Sequence, residues 1–555
     1  MAIEIRSDDD IRVDGHFRVT AGPGAGKTHW LVGHIRHVLK ASDRLGVCGK
    51  VACISYTNVG VNTIKDRLGT AEERVEVCTI HSFFYQYIVK PYLHFVADEE
   101  GFDISKLQGE DDRYDFSFKT LHAVKQTVGQ NYIDDKYLKG AIKDGKWKLK
   151  GGKLVCEGSR RHPTAFKSQY FIKNDIYPAY KKIAWKEGLM HYDDVLYFSY
   201  RLVEKYPFIL DMMVRVFPYF FIDEFQDTNP IQTEIVKQYA AKGGIVGVIG
   251  DPAQSIYKFL GADVAQFRSF ALEGLDDYEI KDNRRSSEQI VALLNQLRKG
   301  FSQTALSGIS DDKPRIIVGA DDLKCYQKAV EIAKGDVHAL SYSNVQTNML
   351  KNQVGKKPTS KYLLDNIEDS NAERAEFIVA FIKAIEHARQ GKFKIALEYL
   401  QKSGIEEEDA IDDLKYLLAN YYKFETDTLA GFYAILTGDL DCDMPALKAG
   451  KAKTFYDAHT YQELALCVGI VEDDGVQRTI HKAKGDEFDN VMVMVGDDND
   501  LSFLLKPNID RDEAHRVYYV AMSRAVRKLF VSVANLSKKD AATLKNMGFD
   551  DPIYV

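Results

Sequence analysis

FRVTAGPGAGKTHWL, Phe17 to Leu31, is the stretch whose reading decides the fold. It opens as an apolar run, Phe17 to Val19, and turns glycine-rich at Gly22, Gly24 and Gly26. It then reaches Lys27 and Thr28 and continues as helical patterning from Leu31 to Leu39. Strand, glycine loop and helix in that order make a phosphate cradle. Glycines let backbone amides curl around an anion, and the new helix points its positive end at the same place. Lys27 is expected to reach the β- and γ-phosphates, and the Thr28 hydroxyl to take Mg²⁺. Ala21, Gly22, Gly24, Ala25, Gly26, Lys27, Thr28 and His29 form the candidate nucleotide-binding set, with Ala21 standing where the strict pattern has glycine.

Outward from this loop, strands and helices alternate. Val51 to Ser55 and Val75 to Thr79 read as strands separated by an amphipathic helix. Such alternation after a phosphate loop predicts an α/β fold with a parallel sheet and ligands at the strand C-terminal ends. The sheet resumes at Pro218 to Ile222, an apolar run delivering Asp223 and Glu224 at its tip. Asp223 is expected to hold Mg²⁺ through water, and Glu224 to orient and deprotonate an attacking water. Ile245 to Ile249 is another buried strand, followed by Gln254, placed like a γ-phosphate sensor, and by Tyr257 and Phe259, which could stack on bases. Arg284 and Arg285 follow a strand-like stretch. They become a phosphate clamp only if they face the nucleotide.

A second α/β unit starts at Arg315 to Val318, followed by a helix over 325–334 and a strand Val337 to Ser341. Residues 346–470 carry helical patterning, and strands return at Val491 to Val495 and Lys528 to Ala534. The helix Glu513 to Ala525 is expected to carry Arg516 and Arg524.

The 555 residues are 45% hydrophobic and 28% charged with a net charge of −7, so no global charge announces a nucleic-acid partner. The signal is local. Between Lys136 and Lys167 ten Lys/Arg (136, 139, 143, 146, 148, 150, 153, 160, 161 and 167) face two acids, Asp144 and Glu157. Trp147 sits between Lys146 and Lys148, and a basic segment with an interleaved aromatic suits a nucleic-acid backbone. The alternative is a solvated, lysine-rich surface. Seven cysteines form no CxxC pair, so they read as thiols of a reducing compartment. The acidic N-terminus resembles no leader, and no apolar run approaches a membrane span, so a cytoplasmic location with no membrane partner is expected. Little chain follows the last strand, and no further fused catalytic domain is expected there.

In order and spacing, these blocks resemble the UvrD/Rep/PcrA-like superfamily 1 helicases. AGPGAGKT is similar to their first motif, ISYTN (Tyr56, Thr57, Asn58) to motif Ia and TIHSF (His81) to Ib. FIDEFQDTNPIQ resembles their Walker B, GDPAQSIYKFLGA motif III, NRRS the NYRS motif, TIHKAKGDEFDNV motif V and RVYYVAMSRA motif VI. The resemblance implies two RecA-like cores, each with a mainly helical insertion: 1–91 with 191–282, and 283–345 with 471–555, the insertions being 92–190 and 346–470. It implies an ATP hydrolase and 3′–5′ DNA helicase that uses ATP and Mg²⁺ between the cores. Arg285 and Arg524 would come from the second core as γ-phosphate arginine and arginine finger, with Arg284 at the base and Glu487 at the ribose. Single-stranded or tailed duplex DNA would touch Tyr56, Thr57, Asn58, His81, Tyr257 and Phe259. Departures fall on coupling positions: no Gln precedes the loop, Val59 and Leu260 replace cations, and Asp486 replaces a leucine. The compact form also resembles UvrD-like subunits that accompany nucleases in bacterial anti-phage systems such as Gabija. That likeness implies an alternative, a DNA-responsive NTPase serving a partner nuclease with little unwinding of its own.

Overall fold

The structure, a computed structural model, describes residues 2–107, 109, 114–158, 172–354, 360–471, 474–496 and 499–555. Arg160, Arg161 and Lys167 of the basic block, and the side chain of Lys136, lie outside the described residues. The chain divides into two compact units. The first comprises 1–286, 298–308 and 508–516, and the second 287–297, 309–507 and 517–555.

The first unit is built on a seven-stranded sheet of β1 (Ile3–Ile5), β2 (Phe17–Ala21), β3 (Val51–Ser55), β4 (Val75–Thr79), β7 (Tyr219–Ile222), β8 (Ile245–Gly250) and β9 (Asp276–Ile280). Between β4 and β7 the chain forms a separate hairpin of β5 (Lys146–Lys150) and β6 (Lys153–Glu157), and after β9 a short parallel pair of β10 (Asp282–Asn283) and β11 (Thr304–Ala305). The sheet order is β1-β9-β2-β8-β7-β3-β4, and every neighbouring pair runs parallel. Strands so placed are covered on both faces, which explains their near-continuous apolar sequences. The period of two sorts them: Ala52, Ile54, Phe220, Ile222, Val246 and Val248 pack into one layer. Val51, Cys53, Tyr219, Phe221, Phe17 and Val19 pack into the opposite one. Each such fully buried side chain contributes about 1.5–3 kcal/mol. Because all strands are parallel, their C-terminal ends, and the loops that follow, lie along one edge.

The region 92–190, expected to be a mainly helical insertion, also holds the β5–β6 hairpin. Its helices Phe118–Val128 and Ile176–Lys186 share a small core with Ile133, Leu138 and Cys156. The β5–β6 hairpin was not anticipated because its strands are lysine-rich, although Gly151-Gly152 between them is a two-residue turn signal.

The second unit holds a six-stranded parallel sheet, ordered β14-β13-β15-β16-β12-β17. Its strands are β12 (Arg315–Val318), β13 (His338–Ser341), β14 (Gln477–Thr479), β15 (Phe488–Met494), β16 (Ala525–Val533) and β17 (Ile553–Tyr554). Between β13 and β14 the chain is helical, with a core of its own that includes Phe381, Ile385, Leu417, Phe432 and Tyr461. Each unit is thus α/β and built on a parallel sheet, as the resemblance implies. Among the described residues no helix is long and apolar enough to cross a membrane.

Candidate active site

The loop after β2 gathers the first group of residues. Gly24 and Gly26 have φ of 67° and 76°, a left-handed backbone that glycine adopts without strain. Gly26 is the N-cap of the helix Lys27–Ala41, so Lys27 and Thr28 stand in its first turn. Ala21 and Ala25 are buried beneath the loop, and His29 is exposed. The loop is braced from outside. A β-carbon on Gly22 would meet the Gln303 side chain at 2.4 Å, and one on Gly24 would meet Asn283 Oδ1 at 2.6 Å. Both Asn283 Nδ2 and Gln303 Nε2 donate to the Pro23 carbonyl, each at 3.0 Å.

This bracing corrects one expectation. Arg285 was assigned to the second core, yet 283–286 belong to the first unit. β9 lies beside β2 and ends at the loop, so the chain that leaves it crosses directly over the glycines. The Arg284 amide donates to the Gly24 carbonyl at 2.9 Å, and Asn283 Oδ1 accepts from the Arg285 amide at 3.0 Å. The Arg284 guanidinium donates to Asp8 at 2.9 Å, and Asp8 also meets His29 Nε2 at 3.2 Å. Asn283 opens the NRRS segment, whereas Asp8 and Gln303 carry no motif that points to them.

Asp223 and Glu224 follow β7. Asp223 is buried at the strand tip, and its Oδ1 accepts from the Glu224 amide at 2.9 Å. Glu224 has φ 54° and ψ 38°, left-handed for a non-glycine residue. Such a conformation costs of order 1–3 kcal/mol and persists where its surroundings enforce it. Here the surroundings are amides: Gln226 Nε2 donates to the Glu224 carboxylate, and Gln226 Oε1 accepts from the Asp251 amide at 3.0 Å. Gln254 follows β8, is buried, and donates from Nε2 to Asp251 Oδ2 at 2.7 Å. The ends of β2, β7, β8 and β9 therefore bring Lys27, Thr28, Asp223, Glu224, Gln254, Arg284 and Arg285 to one edge. Among the described residues no cluster of three His, Cys, Asp or Glu could hold a metal by itself. The hard oxygen donors present, Thr28 and Asp223, suit a Mg²⁺ ion that arrives with phosphates and keeps most of its water.

Of the rings expected to meet a strand, Tyr56 and Tyr257 are closed on each other. Tyr56, after β3, and Tyr257, after β8, stack on each other with centroids 5.1 Å apart and planes 22° apart. Burial, helped by the nearby Asp227 carboxylate, pushes the Tyr56 hydroxyl pKa up. Phe259 stands next to Tyr257 and is 66% exposed. Thr57 caps the helix Asn58–Leu68 by accepting from the Gly60 amide at 3.1 Å, and Asn58 is exposed. His81 lies edge-on to Tyr192 at 4.8 Å.

The basic hairpin sorts by alternation. Lys146, Lys148 and Lys150 are exposed, whereas Trp147 turns to the other side. Its indole donates to Asp194 Oδ1 at 2.9 Å, and its ring lies 4.1 Å from Tyr197 and 6.2 Å from Trp185. Trp147 is thus an internal anchor of the hairpin, against the expectation that it shares a face with the lysines. Asp194 is fully buried and also accepts from Trp185 Nε1, the His191 amide and Lys181. Burial alone would raise its pKa, but Lys181, His191 and Trp147 together hold the carboxyl well below the usual range.

In the second unit Glu487 and Arg524 adjoin the N-terminal ends of β15 and β16, which pair through Phe488 and Ala525. The helix carrying motif VI ends at Met522, so Arg524 lies beyond it and not on it as expected. The reason is local: the Phe488 amide donates to the Arg524 carbonyl, and the guanidinium donates to the Asp486 and Val520 carbonyls and to Ser523. Arg516, in the segment grouped with the first unit, donates to the Ser255 carbonyl at 2.7 Å.

Fold and site define a P-loop α/β protein with an acid pair and a buried amide beside its phosphate loop. Comparison with known proteins makes this narrower. The UvrD/REP helicase N-terminal domain matches residues 9–273, and the UvrD-like helicase C-terminal domain matches residues 271–536. The chain belongs to the UvrD/Rep/PcrA-like helicase family. It is similar to the ATP-dependent DNA helicase PcrA of Bacillus subtilis, at 26% identity over 304 residues, 52% of this chain and 38% of that protein. PcrA of Staphylococcus aureus is 27% identical over 307 residues, 53% of this chain and 40% of its own length. The ATP-dependent DNA helicase srs2 of Schizosaccharomyces pombe is 27% identical over 315 residues, 54% and 33%. The matched part spans no more than 40% of any of these relatives.

Proposed function

We propose that the chain is an ATP-dependent DNA helicase that translocates 3′–5′ along single-stranded DNA. The observation that carries the reading is the left-handed Glu224, held by Gln226 on the same sheet edge as the glycine loop. Lys27 and the loop amides hold the β- and γ-phosphates, and Thr28 and Asp223 hold Mg²⁺, which neutralises phosphate charge when bound. Glu224 accepts a proton from the water that attacks the γ-phosphorus, and Gln254 orients that water. Arg284 lies against the base, Arg285 and Arg524 stabilise charge on the transferred group, and Glu487 meets the ribose. Single-stranded or tailed duplex DNA is the polymer substrate. It contacts Phe259, His81, Thr57, Asn58 and the exposed Lys146 and Lys148, and it enters between Tyr56 and Tyr257 by opening their stack. Within the reading, 92–190 and 346–470 act as insertions into two RecA-like cores, and a cytoplasmic location follows.

A second reading, a DNA-responsive NTPase that serves a partner nuclease in anti-phage defence, is favoured by one observation. Val59 and Leu260, where coupling cations would stand, are 59% and 55% exposed and apolar. Robust strand displacement by the isolated chain on a 3′-tailed duplex would exclude it.

Glu224→Gln is expected to bind ATP with unchanged affinity and to lower turnover by about 10²–10⁴-fold, the usual contribution of a positioned base. Lys27→Ala is expected to lose both binding and turnover. Steady-state ATPase with nucleotide titration checks the pair, and parent-like turnover by Glu224→Gln removes it as the base.

A further inference from the structure

We propose that Arg298 is a positioning residue for hydrolysis, acting through Asp251 on Gln254 and, by way of Gln226, on Glu224. The inference rests on the site reading above. Asp251 directly follows β8 and has no exposed surface. Its Oδ1 meets Arg298 Nη2 at 2.9 Å and accepts from the Ala253 amide at 3.1 Å, while Oδ2 accepts from Gln254 Nε2 at 2.7 Å. Its own amide donates to Gln226 Oε1 at 3.0 Å, and Gln226 Nε2 donates to Glu224. One buried aspartate therefore holds both glutamines, Gln254 by its carboxylate and Gln226 by its amide. Arg298 enters from just beyond the helix Glu288–Leu297, is 11% exposed in its side chain, and lies 4.0 Å from the Phe301 ring centroid.

The physics of this arrangement is directional. A glutamine amide has several rotamers and two nearly equivalent ends, so its orientation must come from its partners. The Asp251 carboxylate orients Gln254 and its backbone amide orients Gln226, and the Arg298 guanidinium offsets the buried acid. The planar Arg298 fork and its ring stack hold the charge in one place, which a lysine's flexible point charge does not. A group held by buried partners needs no reorganisation at the moment of reaction, the source of most transition-state stabilisation. Arg298 thus sets where the two amides point without touching nucleotide.

The test compares the full chain with Arg298→Met and Arg298→Lys, measuring ATPase kcat and KM, nucleotide affinity and melting temperature. Arg298→Met is expected to lower kcat by about tenfold or more at a KM within about twofold of the parent, and Arg298→Lys to recover part of that loss. A purely structural arginine would lower the melting temperature and leave kcat per folded molecule unchanged, and that result overturns the proposal. If Arg298→Met does not fold, Arg298→Lys decides. It keeps the charge and loses the fork, so a drop of about threefold or more in kcat at unchanged KM supports positioning, and parent-like kcat overturns it. A parent chain without ATP turnover, or a Glu224→Gln variant as active as the parent, overturns the site reading and the clamp together.

Discussion

Glu224 shows what a single residue contributes that its motif alone does not. An acid pair after an apolar run is legible in the sequence, but the left-handed backbone and the amide that holds its carboxylate are visible only in the fold. Asp251 lies in the segment similar to motif III, but its partner Arg298 had no sequence signal, since a contact between distant segments leaves no local pattern. His34 illustrates a different residue-scale effect. It lies parallel to Trp30 at 5.3 Å and edge-on to Phe17 at 5.0 Å, and neither ring nitrogen has a hydrogen-bond partner among the described residues. Burial, aided by His37, lowers its pKa from 6.5 to about 3. The unfolded chain therefore takes up this proton at a higher pH than the folded one. Stability from neutral His34 is full above pH 6.5 and is lost as pH falls toward about 3. The slope is at most about 1.4 kcal/mol per pH unit for one proton. His34→Phe is expected to flatten the decline in melting temperature between pH 6.5 and 4.5. An unchanged slope would show that His34 does not titrate on unfolding.

Elements were legible where an apolar run met a sharp boundary. β3, β4 and β12 coincide with their sequence reading: β3 is buried throughout, and β4 and β12 are short, mostly apolar runs with sharp boundaries. The β5–β6 hairpin was missed for the opposite reason: its exposed lysines mask a half-buried alternation. The hairpin separates two roles that a charge count merges. Trp147→Ala removes the contacts to Tyr197 and Trp185 and one donor to the buried Asp194. It is expected to destabilise the first unit by about 3 kcal/mol, read from its denaturant midpoint. Reversing Lys146 and Lys148 to Glu is expected to leave that midpoint nearly unchanged. A shift of under about 0.5 kcal/mol for Trp147→Ala would mean the indole is not an anchor.

At the scale of the molecule, alternating strands and helices predicted a parallel sheet after the phosphate loop and a second α/β unit, the resemblance implied two RecA-like cores, and two parallel-sheet units are present. The allocation of residues to them was less legible. The NRRS segment follows β9 and stays with the glycine loop, whereas Glu487 and Arg524 belong to the second unit. Under the proposed reading, ATP hydrolysis at the sheet edge of the first unit and strand binding by the exposed aromatic side chains and lysines are tied together. The direct measurement is steady-state ATPase with and without single-stranded DNA, with Lys27→Ala as the blank. The account predicts low basal turnover that rises at least about tenfold with single-stranded DNA, an effect lost at high salt as phosphate contacts are screened. Turnover that is the same with and without DNA, across salt concentrations, would contradict it.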